Sequence, residues 1–454
     1  MAPPTTHPRR LALVSLTAGL MAAAASLVSI APAEAATTVV DLGLLPGGSY
    51  ASARAINTGG GIVGMVTDSA GAFKQARFAG GSATLLASSC CASSLAAPLA
   101  LNDSGEAVGW GRVYGSLSDP AYWNATGVTV PLQPIAGSTG TGIRAYDINN
   151  SGVIVGSDVK PSTAFGAPPE YHGVVWNRGT LVRDLGFLGQ AASGLSNATF
   201  AQGINDAGDI VGEAVVGMDR HAFLWRGGAF TDLGPGSALD INSTGLVLGY
   251  APGLIPATWT GTVRKNLPAL GGGTTAYGHT VTDLNNGGDI VGFAPATTGP
   301  LQDTAVLWRG GKAINLGRAP GGTVSRAYGI NDAGQIVGEG NVVAGGPMHA
   351  LMWTVSGSTA TNTTPTATAA ATTTTSIRVG GSVTVKGTFT DPDNGPWSYT
   401  FAWGNGSTTG TAQTAGSITQ SRTFTKAGTY KVTFSVTDAK GAKATSSSIT
   451  VRVS

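Results

Sequence analysis

The chain has 454 residues, 11 % of them charged, and a formal net charge of +2. Glycine fills 69 positions, about twice the usual share of roughly 7 %. This length accommodates more than one domain. The near-balance of charge excludes a broad field for nucleic acid or an anionic membrane, and a glycine-rich, charge-poor composition favours short strands and tight turns over helices.

In chain order, the first element is a targeting segment. Arg9 and Arg10 precede an apolar run from Leu11 to Ile30, and Ala33 and Ala35 stand in the A-x-A places of a cleavage site. Residues 1–35 therefore read as a signal peptide and the protein as secreted. A membrane anchor is the rival reading, and no second apolar run of membrane length follows. Removing residues 1–35 lowers Lys+Arg from 26 to 24 and Asp+Glu from 24 to 23, leaving +1. The two cysteines, Cys90 and Cys91, are neighbours. Adjacent Cα atoms are about 3.8 Å apart, too close for a relaxed disulfide, so disulfides do not hold this fold.

Residues 36–355 are built from a repeat. The core I-N-D-A-G-x-I-V-G occurs at Ile204–Gly212 and again at Ile330–Gly338. Aligned on its Asn, the chain shows seven copies: Asn57, Asn102, Asn149, Asn205, Asn242, Asn285 and Asn331, spaced 45, 47, 56, 37, 43 and 46 residues apart. A period near 46 is that of propeller blades. Each copy has four apolar pieces: A-x-x-I before the Asn, I-V-G after it, a third ending in an aromatic, and a D-L-G or N-L-x piece. The aromatics are Phe78, Trp123, Trp176, Trp225, Trp259, Trp308 and Trp353, and they read as the core between stacked blades. N-x-x-G reads as a type I turn with a left-handed Gly, its Asn side chain bonding backbone two residues on. The chain after residue 36 starts with "TTVVDLG", a fourth piece with no copy before it, whereas the seventh copy ends on its third piece at "HALMWTV". The expectation is an all-β, seven-bladed β-propeller of four-stranded repeats, closed by the N-terminal strand.

The segments "HAFLW" (His221–Trp225), "INDAGDIVG" and "DLGLLPGG" (Asp41–Gly48) resemble the HAF family of extracellular repeats, from Thr37 to about Val355. That resemblance implies a secreted bacterial β-propeller and no activity.

Residues 356–375, "SGSTATNTTPTATAAATTTT", read as a linker. From residue 376 to 454, alternation at Tyr430–Val436 and Ile449–Val453 suits an Ig-like β-sandwich, with Tyr430 placed as a tyrosine corner. This part resembles a PKD domain through Phe389–Asp393, Trp403–Gly406 and Ala427–Tyr430, with Asn405 where that family usually has an acid. Asp391 and Asp393 read as a turn in preference to a calcium site.

No H-E-x-x-H, G-x-S-x-G or paired C-x-x-C occurs, so no catalytic set, metal site or cofactor is expected. His172, His221 and His349 begin the third piece of their copies and read as structural, and His279 stands alone. Two groups remain as binding candidates. Asp147, Asp240 and Asp283 stand two residues before their Asn, where the other copies have Ala or Gly, and would face a common channel. Tyr114, Phe165 and Tyr171 lie in the longest connections between second and third strands, placed to stack on sugar rings or a partner's apolar patch. The preferred expectation is a scaffold binding an extracellular polysaccharide or protein through propeller loops. A propeller lyase or hydrolase using the three acids on polysaccharide is the alternative, and a wall or matrix component without a small ligand is a third reading.

Overall fold

The structure is a computed structural model and describes residues 37–79, 82–86, 97–113, 116–138, 140, 142–162, 168–295, 302–355, 364–391, 397–412, 416–438 and 441–454. The expected signal peptide and both cysteines lie outside the described residues. All regular elements among the described residues are strands. They form seven four-stranded sheets, one three-stranded sheet and one six-stranded sheet. No helix among them is long and apolar enough to cross a membrane.

Six of the four-stranded sheets take their strands in chain order, from Ala51–Leu85 through Thr280–Asn315. The seventh combines Ser325–Ile330, Gln335–Asn341 and Met348–Val355 with the distant strand Thr37–Gly43. That strand runs antiparallel to Met348–Val355, from Thr37 opposite Val355 to Gly43 opposite Ala350.

The repeat Asn explains the recurrence of its motif. In all seven copies the N–H of the Gly three residues on donates to the Asn carbonyl. Those glycines have φ between +74° and +83°, a region that costs glycine little. The Asn Oδ1 accepts from the N–H four residues on in every copy. The expected bond two residues on occurs as an addition at Ser151 and Thr244. The Asn Nδ2 then donates across to the next sheet: Asn57 to the Asn102 carbonyl, and so on through Asn149, Asn205, Asn242, Asn285 and Asn331. Asn331 donates to the carbonyl of Asn57 at 3.1 Å, so the series returns to its start.

Packing follows the same order. The second strand is buried on both faces, and its I-V pair divides between two cores. Ile290 packs with Trp308 of its own sheet and Leu248 of the preceding one. Val291 packs with Ile336 and Trp353 of the following sheet. Val337 of the seventh sheet likewise packs with Ala51 and Phe78 of the first. The third-strand aromatics are buried except Trp225, which is half-buried. Three indoles donate to carbonyls in or just after the preceding sheet's fourth strand: Trp176 to Gln133, Trp259 to Leu233 and Trp308 to Pro268.

The C-terminal sheets enclose a separate core of Val383, Phe389, Trp397, Phe401, Trp403, Phe424, Phe434 and Val451. Tyr430 Oη donates to the Lys426 carbonyl at 3.0 Å, the tyrosine corner. Composition alone assigns 356–375 to a linker, yet Thr366–Ala371 forms an edge strand on Ser382–Thr390. Its alternate residues Ala367 and Ala369 pack on the core, which small residues can do at a sheet edge despite low hydrophobicity.

Candidate functional site

Each of the seven first strands carries a β-bulge three residues before the repeat Asn. A bulge adds an unpaired residue and re-aims it. The seven extra residues, Arg54, Leu99, Tyr146, Gln202, Leu239, Thr282 and Tyr328, line one cavity of about 220 Å³. Asp147, Asp240 and Asp283 line it too, so the three acids singled out in the sequence do converge.

Their oxygens are already engaged. Asp147 accepts from its neighbour Ile148 N at 2.7 Å and from Ile204 N of the next sheet at 2.8 Å. Asp240 accepts from Ile241 N at 2.7 Å and Leu284 N at 3.2 Å. Asp283 accepts from Leu284 N at 2.9 Å and Ile330 N at 2.8 Å. Each carboxyl thus joins its sheet to the one after it. Burial, the first cause, raises all three acids, and mutual repulsion adds to it for Asp147 and Asp283. Asp147 is pushed up to about 7. Asp283 is raised well above the usual carboxylate range, by burial first and then by the Asp240 carboxylate. Among the described residues no group of three His, Cys, Asp or Glu is arranged to hold a metal ion.

The lining also carries Arg54, whose guanidinium lies 4.1 Å from the Tyr328 ring centre. Behind it the buried Glu339 accepts from Tyr50 Oη at 2.7 Å, Tyr328 Oη at 2.8 Å and Arg326 Nη1 at 2.9 Å. These bonds and the Arg54 charge hold Glu339 below the usual carboxylate range despite its burial, which is the largest influence on it and acts the other way. A second cavity, of about 160 Å³, is lined by the seven Asn turns and by the aliphatic residue before each Asn.

The histidines pair within their sheets, each with the acid of a D-L-G piece. His172 Nδ1 lies 2.8 Å from Asp184 Oδ2, and His221 and His349 lie 2.9 Å from Asp232 and Asp41. The same acids Asp41, Asp184 and Asp232 accept the N–H of the Gly two residues on.

A larger groove of about 660 Å³ opens between the third and fourth sheets. Tyr171 lines it, along with Phe200, Leu195, Met218, Arg144, Asp219 and Arg220. The Tyr171 and Phe200 ring centres are 5.5 Å apart. Tyr114 and Phe165 lie outside the described residues. The sequence reading missed Phe200, Leu195 and Met218, and it missed the bulge residues. A signal existed for the latter: the place three before each Asn is the most chemically varied of the A-x-x-I piece.

Comparison with known proteins adds one assignment. The PKD-domain family model matches residues 362–453. These residues are a PKD domain. The match begins ahead of the edge strand Thr366–Ala371, in agreement with its pairing. Within the PKD domain Asp391 accepts from Trp397 Nε1 at 2.7 Å, and Asp393 lies outside the described residues. Among solved structures, the chain is similar to the PKD domain of an M14-like peptidase from a Thermoplasmatales archaeon, with 23 % identity and a TM-score of 0.19, over 20 % of this chain and 97 % of that one. It is also similar to an arginine-to-alanine triple mutant of AofleA from Arthrobotrys oligospora, with 11 % identity and a TM-score of 0.25, over 86 % of this chain and 93 % of that one. No curated protein matches the chain.

Proposed function

We propose that the protein is a secreted binding scaffold: a seven-bladed β-propeller of HAF-type repeats that engages an extracellular polysaccharide or protein through its loops, with the PKD domain as spacer or docking aid. The observation that carries this reading is that the titratable groups best placed for chemistry are consumed as structural bonds. All six oxygens of Asp147, Asp240 and Asp283 accept backbone N–H groups. The three histidines are paired inside their own sheets. The Asn series that returns from Asn331 to Asn57 and the exchanged strand Thr37–Gly43 support the propeller.

The alternative, a lyase or hydrolase acting on polysaccharide at the three acids, draws on their convergence and on the near-neutral Asp147. Against it, the cavity of about 220 Å³ falls below the roughly 300–1,000 Å³ of ligand pockets. A glycan and protein array at near-physiological salt tests the proposal. Binding to one class with no turnover is expected. No binding anywhere, together with turnover of a polysaccharide that is lost when the three acids become Asn, reverses it.

A further inference from the structure

The third and fourth sheets depart from the repeat where they meet. The spacing from Asn149 to Asn205 is 56 residues, the longest of the series. The place five residues before the repeat Asn carries an aromatic ring only in the fourth sheet, at Phe200. The extra chain is pinned on both sides. Tyr171 N donates to the Asn197 carbonyl at 3.0 Å, and Gly217 N donates to the Gln190 carbonyl at 2.8 Å. Ala191 N also donates to the Asn197 side chain at 2.9 Å. The wall that Leu195 belongs to is therefore fixed before any ligand arrives, which lowers the ordering cost of binding.

We infer that this groove binds a short stretch of neutral polysaccharide, with sugar rings laid against Tyr171 at the edge of Phe200, and their hydroxyls bonded by Asp219 and by Arg220, whose guanidinium lies 5.9 Å from the Phe200 ring centre. The inference rests on the binding-scaffold reading and assigns its site. Three features select the ligand. First, about 660 Å³ of concave space suits a ligand site, whereas a protein partner needs a broad surface of roughly 1,000 Å² or more. Second, the apolar faces of pyranose rings, edged with C–H groups, complement the negative faces of aromatic rings, and Met218, 82 % exposed, extends that apolar wall. Third, the charges are compensated. Arg220 is ion-paired to Glu213, Arg144 is engaged, and Asp219 repels an acidic ligand. What remains is a set of donors and acceptors suited to hydroxyl groups and not to a net charge.

The test uses the full chain against immobilised and soluble neutral and acidic oligosaccharides, with Tyr171→Ala and Met218→Arg as variants. Met218 is so exposed that its replacement leaves folding intact, which circular dichroism checks. The expected result is a neutral oligosaccharide bound with little dependence on salt and weakened about tenfold or more by both variants. Acidic oligosaccharides bound in preference and released by salt would overturn the inference. So would a bound ligand indifferent to both variants, which would leave the scaffold reading standing. Failure to bind any glycan or protein would overturn both.

Discussion

Asp41 and His349 are 308 residues apart in the chain, yet the His349 Nδ1 lies 2.9 Å from Asp41 Oδ2. Within single copies, His172 and Asp184 or His221 and Asp232 make the same contact. The N-terminal strand therefore reproduces the full chemistry of a fourth strand, including the Gly43 N–H on Asp41 Oδ1. Without it the strand Met348–Val355 becomes an open edge, and Leu42 leaves the core it shares with Ala51 and Phe78. A chain lacking residues 37–43 is expected to melt earlier and to aggregate. Added synthetic peptide TTVVDLG should restore melting temperature in proportion to its concentration. Scanning fluorimetry with light scattering reads both, and an unchanged melting temperature would count against the closing role of this strand.

The repeat Asn works between sheets as well as within its turn. Asn205 Nδ2 donates to the Asn242 carbonyl at 3.1 Å, while its Oδ1 accepts from Asp209 N. Asn205→Ala leaves the Asp209 N–H without its partner and removes one of the two bonds to the Asn242 carbonyl, which keeps the Gly245 N–H, at a cost of about 1–3 kcal/mol carried mostly by the unpaired N–H. Asn205→Asp keeps the acceptor but sets a charge against a carbonyl, so it should destabilise at least as much. Hydrogen exchange should show faster opening in both the fourth and fifth sheets. Opening confined to the fourth would mean that the bond across sheets contributes little.

The period near 46 residues, the four pieces per copy and the exchanged strand are legible in the sequence, because backbone geometry repeats wherever the same turn and the same burial recur. The tyrosine corner at Tyr430 is legible for the same local reason. The bulges are not, since one unpaired residue leaves the alternation of so short a strand nearly unchanged. The donor role of each Asn is also hidden, because it depends on the carbonyl of another copy, 37 to 56 residues on for Asn57 through Asn285 and back at Asn57 for Asn331. The convergence of Asp147, Asp240 and Asp283 follows from their shared register. Their engagement by backbone N–H groups does not, because for one oxygen of each acid the donor lies on the next sheet. Phe200 and Leu195 reach the groove through a connection whose path no periodicity describes.

The glycine of I-V-G owes its place to the bulge. At Gly212 an added Cβ would stand 1.9 Å from the Phe200 carbonyl, and at Gly292 it would stand 1.9 Å from that of Thr280. The bulged first strand passes too close for any side chain. Gly212→Ala must displace one strand and should cost about 1–3 kcal/mol. Gly208→Ala, at φ +83° with open space around it, should cost only about 1 kcal/mol. Comparison of the two melting temperatures tests the assignment, and a milder effect at Gly212 would contradict it.

The buried acids predict a stability that declines towards alkaline pH. Asp147 is raised from 3.8 to about 7, and Asp240 and Asp283 are raised with it. A carboxyl whose folded pKa exceeds its unfolded value binds more protons in the folded state. Its stabilising contribution is complete below about pH 4 and is lost as pH rises through the folded pKa, for Asp147 around 7. Asp206 repels the Asp147 charge as well, and Arg54 is the cation that lines the same cavity. His172, raised first by its bond to Asp184, acts in the same sense: its contribution holds below about pH 6.5 and falls as pH climbs through its raised value. The depressed carboxylates Glu106, Asp184, Asp209 and Glu339 act oppositely and lose their contribution in acid, as pH falls through their lowered values. Melting temperature should therefore peak at mildly acidic pH and decline between about pH 6 and 8. Asp147→Asn places an amide beside two N–H donors and lowers stability throughout, but it removes the titration, so the slope between pH 6 and 8 is the decisive reading. A flatter slope in Asp147→Asn, with a further flattening in His172→Gln, is the expected outcome. A wild-type melting temperature that rises over this interval, or a slope unaltered by Asp147→Asn, would show that the acids keep ordinary carboxylate behaviour inside the cavity.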